Sequence, residues 1–233
     1  MLLEVNSVSV YYGESCACHD VSLQIHHGEK VCLLGRNGVG KTTLLKSMVR
    51  LIPNRGGTIH VENEDIDGMK PYEVARLGIG YVPQGRMIFP NLTVMENLKL
   101  GTTIQREKIK AIPDLVFDFF PILKMRSKQR AGSLSGGEQQ MLAIGRALSG
   151  LPKLILLDEP SEGLAIAIIE ELIRILKKLT YETGLAIFLV EQNLDMALEV
   201  AARGYIMEKG RTVAQGDAAQ LRDDEIVKRH LIV

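Results

Sequence analysis

Apolar residues Leu3, Val5, Val8 and Val10 punctuate a polar N-terminal stretch, and Val21, Leu23 and Ile25 repeat the two-residue period before His27-Gly28-Glu29. That period predicts strands with one buried face, arranged in a mostly antiparallel layer. Lys30 to Leu34 is a short apolar run and predicts a buried strand. Leu44, Leu45, Met48, Val49 and Ile52 then recur at helical spacing as far as Pro53. Ile79 to Val82 predicts another strand, closed by Pro83, and Thr93-Val94-Met95-Glu96 has the form of a capping box that opens a helix. From Gly85 to Ala131, Pro90, Pro113 and Pro121 separate apolar helical patches, a pattern suited to a helical insertion. Glu138 to Leu148 predicts the helix that follows. Leu154 to Leu157 is a continuous apolar run ending in Asp158-Glu159-Pro160, as in a buried parallel strand with acids at its carboxyl end. Ile169, Leu172, Ile173, Leu176 and Leu179 form a helical stripe, Leu185 to Val190 predicts the next buried strand, and Tyr205 to Val213 predicts a hairpin turning at Lys209-Gly210.

Composition narrows the class. The chain has 233 residues, enough for one domain carrying an inserted subdomain, and 46% of them are apolar. Lys plus Arg and Asp plus Glu each total 28, so there is no basic surplus for nucleic acid or an anionic membrane. No stretch approaches the roughly 18 consecutive apolar residues needed to span a bilayer, and no signal-peptide pattern is evident at Met1 to Asn6, which predicts a cytosolic protein. The three cysteines, Cys16, Cys18 and Cys32, are too few for a disulfide framework. Cys16-Ala17-Cys18-His19 lacks the second pair that would complete a four-ligand metal site.

Two segments carry the chemistry. Gly35-Arg36-Asn37-Gly38-Val39-Gly40-Lys41-Thr42 stands between a predicted strand and a predicted helix. There, a glycine-rich turn between a strand and a helix lets backbone N–H groups surround phosphate oxygens. The helix N-terminus adds a favourable dipole. This segment alone predicts nucleotide binding in many kinds of protein. Leu134-Ser135-Gly136-Gly137-Glu138-Gln139-Gln140 is narrower and resembles the signature of ATP-binding cassette (ABC) ATPases.

That resemblance extends over nearly the whole chain. It implies an α/β P-loop NTPase fold with a RecA-like core, an antiparallel β subdomain and a helical subdomain at residues 85–140, all within one nucleotide-binding domain, 1–233. It implies ATP and Mg²⁺ as ligands. Gly35, Arg36, Asn37, Gly38, Val39, Gly40, Lys41, Thr42 and Thr43 would hold the phosphates. Tyr12 would stack on adenine, with Tyr11 the competing choice. Ser135, Gly136, Gly137 and Glu138 would face the nucleotide held by a partner ATPase. Asp158, Thr42 and Gln84 would serve Mg²⁺, and Glu159 would be the general base for the attacking water. Gly85 to Phe89 would belong to the surface that couples to a membrane subunit, although Met87, Ile88 and Phe89 suit packing inside the helical subdomain equally well.

Two departures from the broader family are informative. Its switch histidine is expected after the strand ending near Val190, where this chain has Glu191-Gln192-Asn193, and none of the five histidines (His19, His26, His27, His60, His230) stands there. Gln192, the candidate in that place, can hydrogen-bond phosphate or water but does not titrate. Ser161-Glu162-Gly163-Leu164 is followed by Ala165 where the family often has Asp. These segments, together with Tyr81 to Arg86 and Ile88-Phe89-Pro90, resemble the smaller ATPase of bacterial branched-chain amino acid importers, a pattern shared with urea and short-chain amide importers. Ile166 stands where that subgroup usually has proline. The resemblance implies a subunit on the inner face of the bacterial plasma membrane, paired with a homologous ATPase or a second copy of itself. Two transmembrane permease subunits and a periplasmic solute-binding protein would complete the system. A soluble ABC protein acting on ribosomes or DNA is the rival from another class, disfavoured by the neutral charge. A P-loop kinase is disfavoured by the signature.

Overall fold

The N-terminal alternation folds as two long paired strands in a computed structural model that describes residues 1–105 and 109–223. Residues 106–108 of the expected helical insertion, residues 224–233 of the expected domain, and with them His230, lie outside the described residues. Strands β1 (Leu3–Tyr12) and β2 (Ser15–Ile25) are antiparallel. Val5 and Val8 are both fully buried although three positions apart. The register shifts between them and Ser7 takes a φ of 50°, a bulge that returns Val8 to the inner face. Strand β3 (Lys30–Leu34) leads through the glycine loop into α1 (Lys41–Met48). This helix stops short of the expected Ile52, because Arg50 adopts φ 58°, and its guanidinium ties Asn54 Oδ1 (2.6 Å) and Asp67 Oδ1 (2.8 Å). The following strands β4 (Asn54–Val61) and β5 (Glu64–Asp65) extend the first layer to the order β2-β1-β4-β5. Helix α2 (Pro71–Arg76) then leads to β6 (Ile79–Val82).

The stretch expected to be a helical insertion contains α3 (Val94–Thr102), α4 (Asp114–Phe119) and α5 (Pro121–Met125). Its prolines sit where their missing N–H is harmless: Pro113 precedes α4 and Pro121 is the first residue of α5. The expected capping box opens α3, with the Glu96 N–H donating to Thr93 Oγ1 (3.2 Å) and the Thr93 N–H donating to Glu96 Oε2 (2.7 Å). Helix α6 (Gly136–Leu148) begins two residues before the predicted Glu138 and returns the chain to β7 (Leu154–Asp158). Then follow α7 (Ile166–Thr183), β8 (Ala186–Glu191), α8 (Leu194–Val200), β9 (Arg203–Glu208), β10 (Arg211–Asp217) and α9 (Ala218–Asp223).

The second sheet has the order β10-β9-β3-β8-β7-β6, parallel from β9 to β6. Only β10 is antiparallel, joined to β9 through Lys209 (φ 46°) and Gly210 (φ 79°), the predicted hairpin turn. Alternation along each central strand divides the core. Cys32, Leu34, Ile155, Leu157, Ile187 and Leu189 pack toward α6, α7 and α8, whereas Val31, Leu33, Leu154, Leu156, Phe188 and Val190 pack toward α1 and the antiparallel layer. Burial on both faces explains why β7 and β8 are continuously apolar in sequence. It also fixes the carboxyl ends of β3, β7 and β8 side by side, with Leu34 opposite Glu191 and Asp158 opposite Val190.

Candidate functional site

The glycine loop leaves β3 at the carboxyl edge of the parallel sheet, and its path depends on the absence of side chains. A Cβ at Gly35 would lie 2.6 Å from the Met207 carbonyl oxygen and 2.9 Å from Val39 Cγ2. Gly40, with φ 109°, is the N-cap of α1 and offers no side-chain cap to the first-turn N–H groups. Those donors and the helix dipole are therefore directed to whatever anion occupies the loop.

Lys41 is buried beneath the loop, with its Nζ donating to the carbonyls of Gly35 (2.7 Å) and Arg36 (3.0 Å). The same ammonium lies 3.0 Å from Glu159 Oε1. Beside it, the Thr42 hydroxyl donates to Asp158 Oδ1 (3.1 Å) and the Tyr81 hydroxyl donates to Asp158 Oδ2 (3.2 Å). Burial pushes the Asp158 carboxyl above its ordinary value, with the Glu159 charge adding to the rise, while the bonds from Thr42 and Tyr81 and the Lys41 charge oppose it. Burial likewise raises Tyr81, which keeps its phenol protonated as a donor.

Glu159 follows β7 in a left-handed conformation, φ 46°. Such a backbone costs a non-glycine residue roughly 1–2 kcal/mol, so the turn must be held from outside. Its N–H donates to the Val190 carbonyl (2.8 Å). Gln84 Nε2 reaches Glu159 Oε2 (3.3 Å) and Glu162 Oε2 (3.0 Å), joining the loop after β6 to the loop after β7. A cavity of about 350 Å³ opens over this floor, with Tyr12, Asn37, Lys41, Thr43, Gln84 and Glu159 among its walls. Tyr12 is 52% exposed there. Tyr11 does not line the cavity and instead carries the Arg55 guanidinium 5.1 Å above its ring.

The signature segment is built apart from this cavity. Ser135 caps α6, accepting from the Glu138 N–H (3.3 Å), while the Ser135 N–H donates to Glu138 Oε2 (2.8 Å). Arg126 Nε pairs with Glu138 Oε1 at 2.8 Å. Gly137 is buried, and a Cβ there would stand 2.9 Å from Ile168 Cγ2. None of Ser135, Gly136, Gly137 or Glu138 lines the cavity occupied by the glycine loop. Gln192 does not line it either; its side chain is exposed.

The contacts of three polar side chains were not foreseen in the sequence. Tyr81 anchors Asp158, Glu162 shares Gln84, and Glu191, 2% exposed, accepts from the Ser161 N–H (3.0 Å) and the Gln192 N–H (3.2 Å). The available signals were a phenol and a carboxylate placed in or at the end of apolar strands, since buried polar groups need partners. The two readings of the segment after Gln84 divide by residue. Ile88 packs on the core, while Met87 and Phe89 are 64% and 49% exposed. Cys18 is buried with its Sγ donating to the Gly40 carbonyl (3.4 Å), and Cys16 is exposed.

A family model described as ABC transporter matches residues 18–162, more than half of the chain. The chain is 46% identical over 221 residues to the high-affinity branched-chain amino acid transport ATP-binding protein BraG of Pseudomonas aeruginosa, an alignment covering 94% of each. It is 36% identical to the probable branched-chain amino acid transport ATP-binding protein LivF of Archaeoglobus fulgidus, over 96% of this chain and 95% of that relative. It is also 36% identical to the lipopolysaccharide export system ATP-binding protein LptB of Escherichia coli K12, over 96% and 93%. A nucleotide-free ATP-binding cassette from an ABC transporter superposes with a TM-score of 0.87 at 27% identity, over 100% of this chain and 99% of that one. A dimeric cassette in a post-hydrolysis state, bound to ADP and Pi, superposes with a TM-score of 0.78 at 26% identity, over 93% and 99%.

Proposed function

The chain belongs to the ABC transporter family as one of its ATPase subunits, and from that membership we propose that it powers import of branched-chain amino acids. The observation that carries the catalytic part is the convergence of Lys41 and Glu159 at 3.0 Å on the cavity floor, beside Thr42 and Asp158. ATP would lie with adenine against Tyr12 and its phosphates in the glycine loop, where backbone N–H groups and Lys41 balance their charge. The oxygen donors fit Mg²⁺: a hydroxyl and a carboxylate 3.1 Å apart, with the Gln84 amide on the adjoining loop, suit a hard cation that keeps waters and shares phosphate oxygens. Bound there, Mg²⁺ would neutralise charge on the β- and γ-phosphates.

In this scheme Glu159 accepts a proton from water as the water oxygen bonds to the γ-phosphorus. The bond from that phosphorus to the bridging oxygen breaks, releasing ADP and phosphate. Lys41 leaves Glu159 for phosphate when ATP enters, which frees the carboxylate for this task. Ser135, Gly136, Gly137 and Glu138 would meet the nucleotide of a second ATPase, a role favoured by their absence from this chain's own cavity. Exposed Met87 and Phe89 would form part of the contact with a permease subunit on the inner face of the membrane. Among the described residues no helix is long and apolar enough to cross a membrane, so this chain's described part supplies no helical transport path.

The 46% identity to BraG favours branched-chain amino acids as cargo, and the 36% identity to LptB sustains a second reading in which the machine exports a lipid-linked glycan. The experiment is reconstitution of the chain with each candidate set of membrane partners, followed by measurement of ATP turnover with and without cargo. Stimulation by a solute-binding protein loaded with leucine, isoleucine or valine supports the import reading. Stimulation only by the lipid partner set, or by a binding protein loaded with urea or an amide, replaces it.

A further inference from the structure

The loop after β8 lacks a titrating residue at Gln192, yet the residue before it is a buried carboxylate. Glu191 ends β8 with 2% exposure, in register with Leu34, the residue immediately before the glycine loop. Burial pushes its carboxyl above the ordinary range, opposed by hydrogen bonds from the Ser161 and Asn193 backbone. A carboxylate in such a place is costly unless several donors reach it. Here the donors come from two loops: the Ser161 N–H binds Oε1 at 3.0 Å and the Gln192 N–H binds Oε2 at 3.2 Å.

The location of Ser161 gives these bonds a consequence. Glu159, two residues earlier, has its backbone in the left-handed region, and its N–H is bound by the Val190 carbonyl at 2.8 Å. The turn is closed internally by the Glu162 N–H on the Glu159 carbonyl (3.1 Å) and by the Leu164 N–H on the Ser161 carbonyl (3.1 Å). Adjacent residues of β8 thus grip the turn at two points, one through a carbonyl and one through a side chain. Remove the side-chain grip and the backbone of the turn keeps one anchor on β8, at the residue whose conformation is least favourable by itself, with only the Gln84 and Lys41 side-chain contacts besides.

We infer that Glu191 is a positioning residue for ATP hydrolysis: its buried carboxylate fixes the turn that aims Glu159 and joins that turn to the loop after β8. The inference rests on the assignment of Glu159 as the general base. Glu191 does not line the cavity, and its hydrogen bonds go to the Ser161 and Gln192 N–H groups and not to the phosphate loop, so its loss is expected to act through Glu159.

The test compares Glu191→Ala and Glu191→Gln in the purified full-length chain, alone and in a Glu159→Gln background. The measurements are ATP turnover, KM, ADP affinity by titration and thermal melting. Glu191→Ala is expected to lower kcat by about 10- to 100-fold, the range for a misplaced catalytic group, with KM and ADP affinity unchanged. Glu191→Gln, whose amide oxygen still accepts from one N–H, is expected to recover part of the rate. In the Glu159→Gln background neither substitution should lower the residual rate further, as expected of residues acting as one unit. Undiminished kcat in a folded Glu191→Ala chain overturns the inference, and so does a loss of ADP affinity parallel to the loss of rate. Should Glu191→Ala fail to fold, Glu191→Gln decides by the same two criteria. Near-normal turnover by Glu159→Gln alone instead removes the base assignment, a separate outcome from any result at position 191.

Discussion

Replacing Glu159 by Gln should do two opposite things, because this carboxylate is also the counterion of Lys41. Its Oε1 lies 3.0 Å from Lys41 Nζ, and the two side chains are 10% and 3% exposed. Incoming phosphate must displace Glu159 from Lys41 and then sit beside the displaced negative charge. Two unit charges about 6 Å apart at an effective dielectric of about 20 repel by about 2–3 kcal/mol, and solvent in the open cavity screens part of that. Glu159→Gln removes the repulsion while keeping the shape, so ATP should bind about 10-fold more tightly, equivalent to about 1.4 kcal/mol. Hydrolysis should fall by about 10²- to 10⁴-fold, which is ~3–5.5 kcal/mol in barrier height. Without nucleotide the variant should melt earlier than the parent, because the buried Lys41 loses its counter-charge and keeps only neutral oxygen acceptors, and ATP should restore it. Calorimetric titration and phosphate release in one preparation measure both effects. Turnover within about 3-fold of the parent lies outside the range for loss of a positioned base and would refute the assignment; weaker ATP binding would refute the counterion argument.

Gly35→Ala should abolish nucleotide binding measured by titration, since its Cβ would stand 2.6 Å from the Met207 carbonyl and push the loop off its path. Thr93→Ala removes the acceptor for the Glu96 N–H and should lower stability by about 1 kcal/mol in chemical denaturation, without changing ADP affinity. Acid should selectively weaken the link between β9 and the turn before β3. Burial alone would raise the Glu29 carboxyl, but hydrogen bonds from Arg203 at 2.6 and 2.9 Å and from the His26 N–H outweigh it and hold it below its ordinary 4.5. A depressed carboxylate stabilises the fold above its unfolded value and loses that contribution as pH falls through the folded one. The melting difference between parent and Glu29→Gln should therefore be constant at neutral pH and shrink below about 4.5.

Much of this arrangement was legible because its sequence signals are local. The glycine loop, the Asp158-Glu159 pair at the end of an apolar run and the Thr93 capping box each occupy a few consecutive residues, and each folds in the context its pattern requires. The strand β4 was not read, because Arg55-Gly56-Gly57 in its first half hide the alternation. Helix α2 is six residues long, too short to display a period. Helix α1 ended early through Arg50, whose left-handed conformation depends on partners Asn54 and Asp67 that no local pattern announces. The same reason hid Tyr81 and Glu191. A phenol within β6 and a carboxylate ending β8 acquire meaning only when parallel pairing sets β6 beside β7 and β7 beside β8.

The separation of the signature from the cavity does not make the two independent within one chain. Gly136 lies under the Arg86 guanidinium, where a Cβ would be 3.2 Å from Arg86 Nη2, and Arg86 Nη1 donates to Gln139 Oε1 at 3.4 Å. Arg86 follows Gln84 by two residues, and Gln84 reaches Glu159. On the other side Gly137 packs against Ile168 in the first turn of α7, the helix entered directly from the turn that carries Glu159. A displacement of the start of α6 therefore meets the Gln84 loop through a guanidinium and the Glu159 turn through an apolar contact. The Gly137–Ile168 approach leaves no room for another carbon, and the Arg86 guanidinium is tied to the start of α6 through Gln139, so each contact couples α6 to its neighbour. A nucleotide drawn onto Ser135 by a second ATPase would thus press on both loops that hold Glu159, the proposed base of this one, which gives the proposed pairing a physical means of coordinating its two sites.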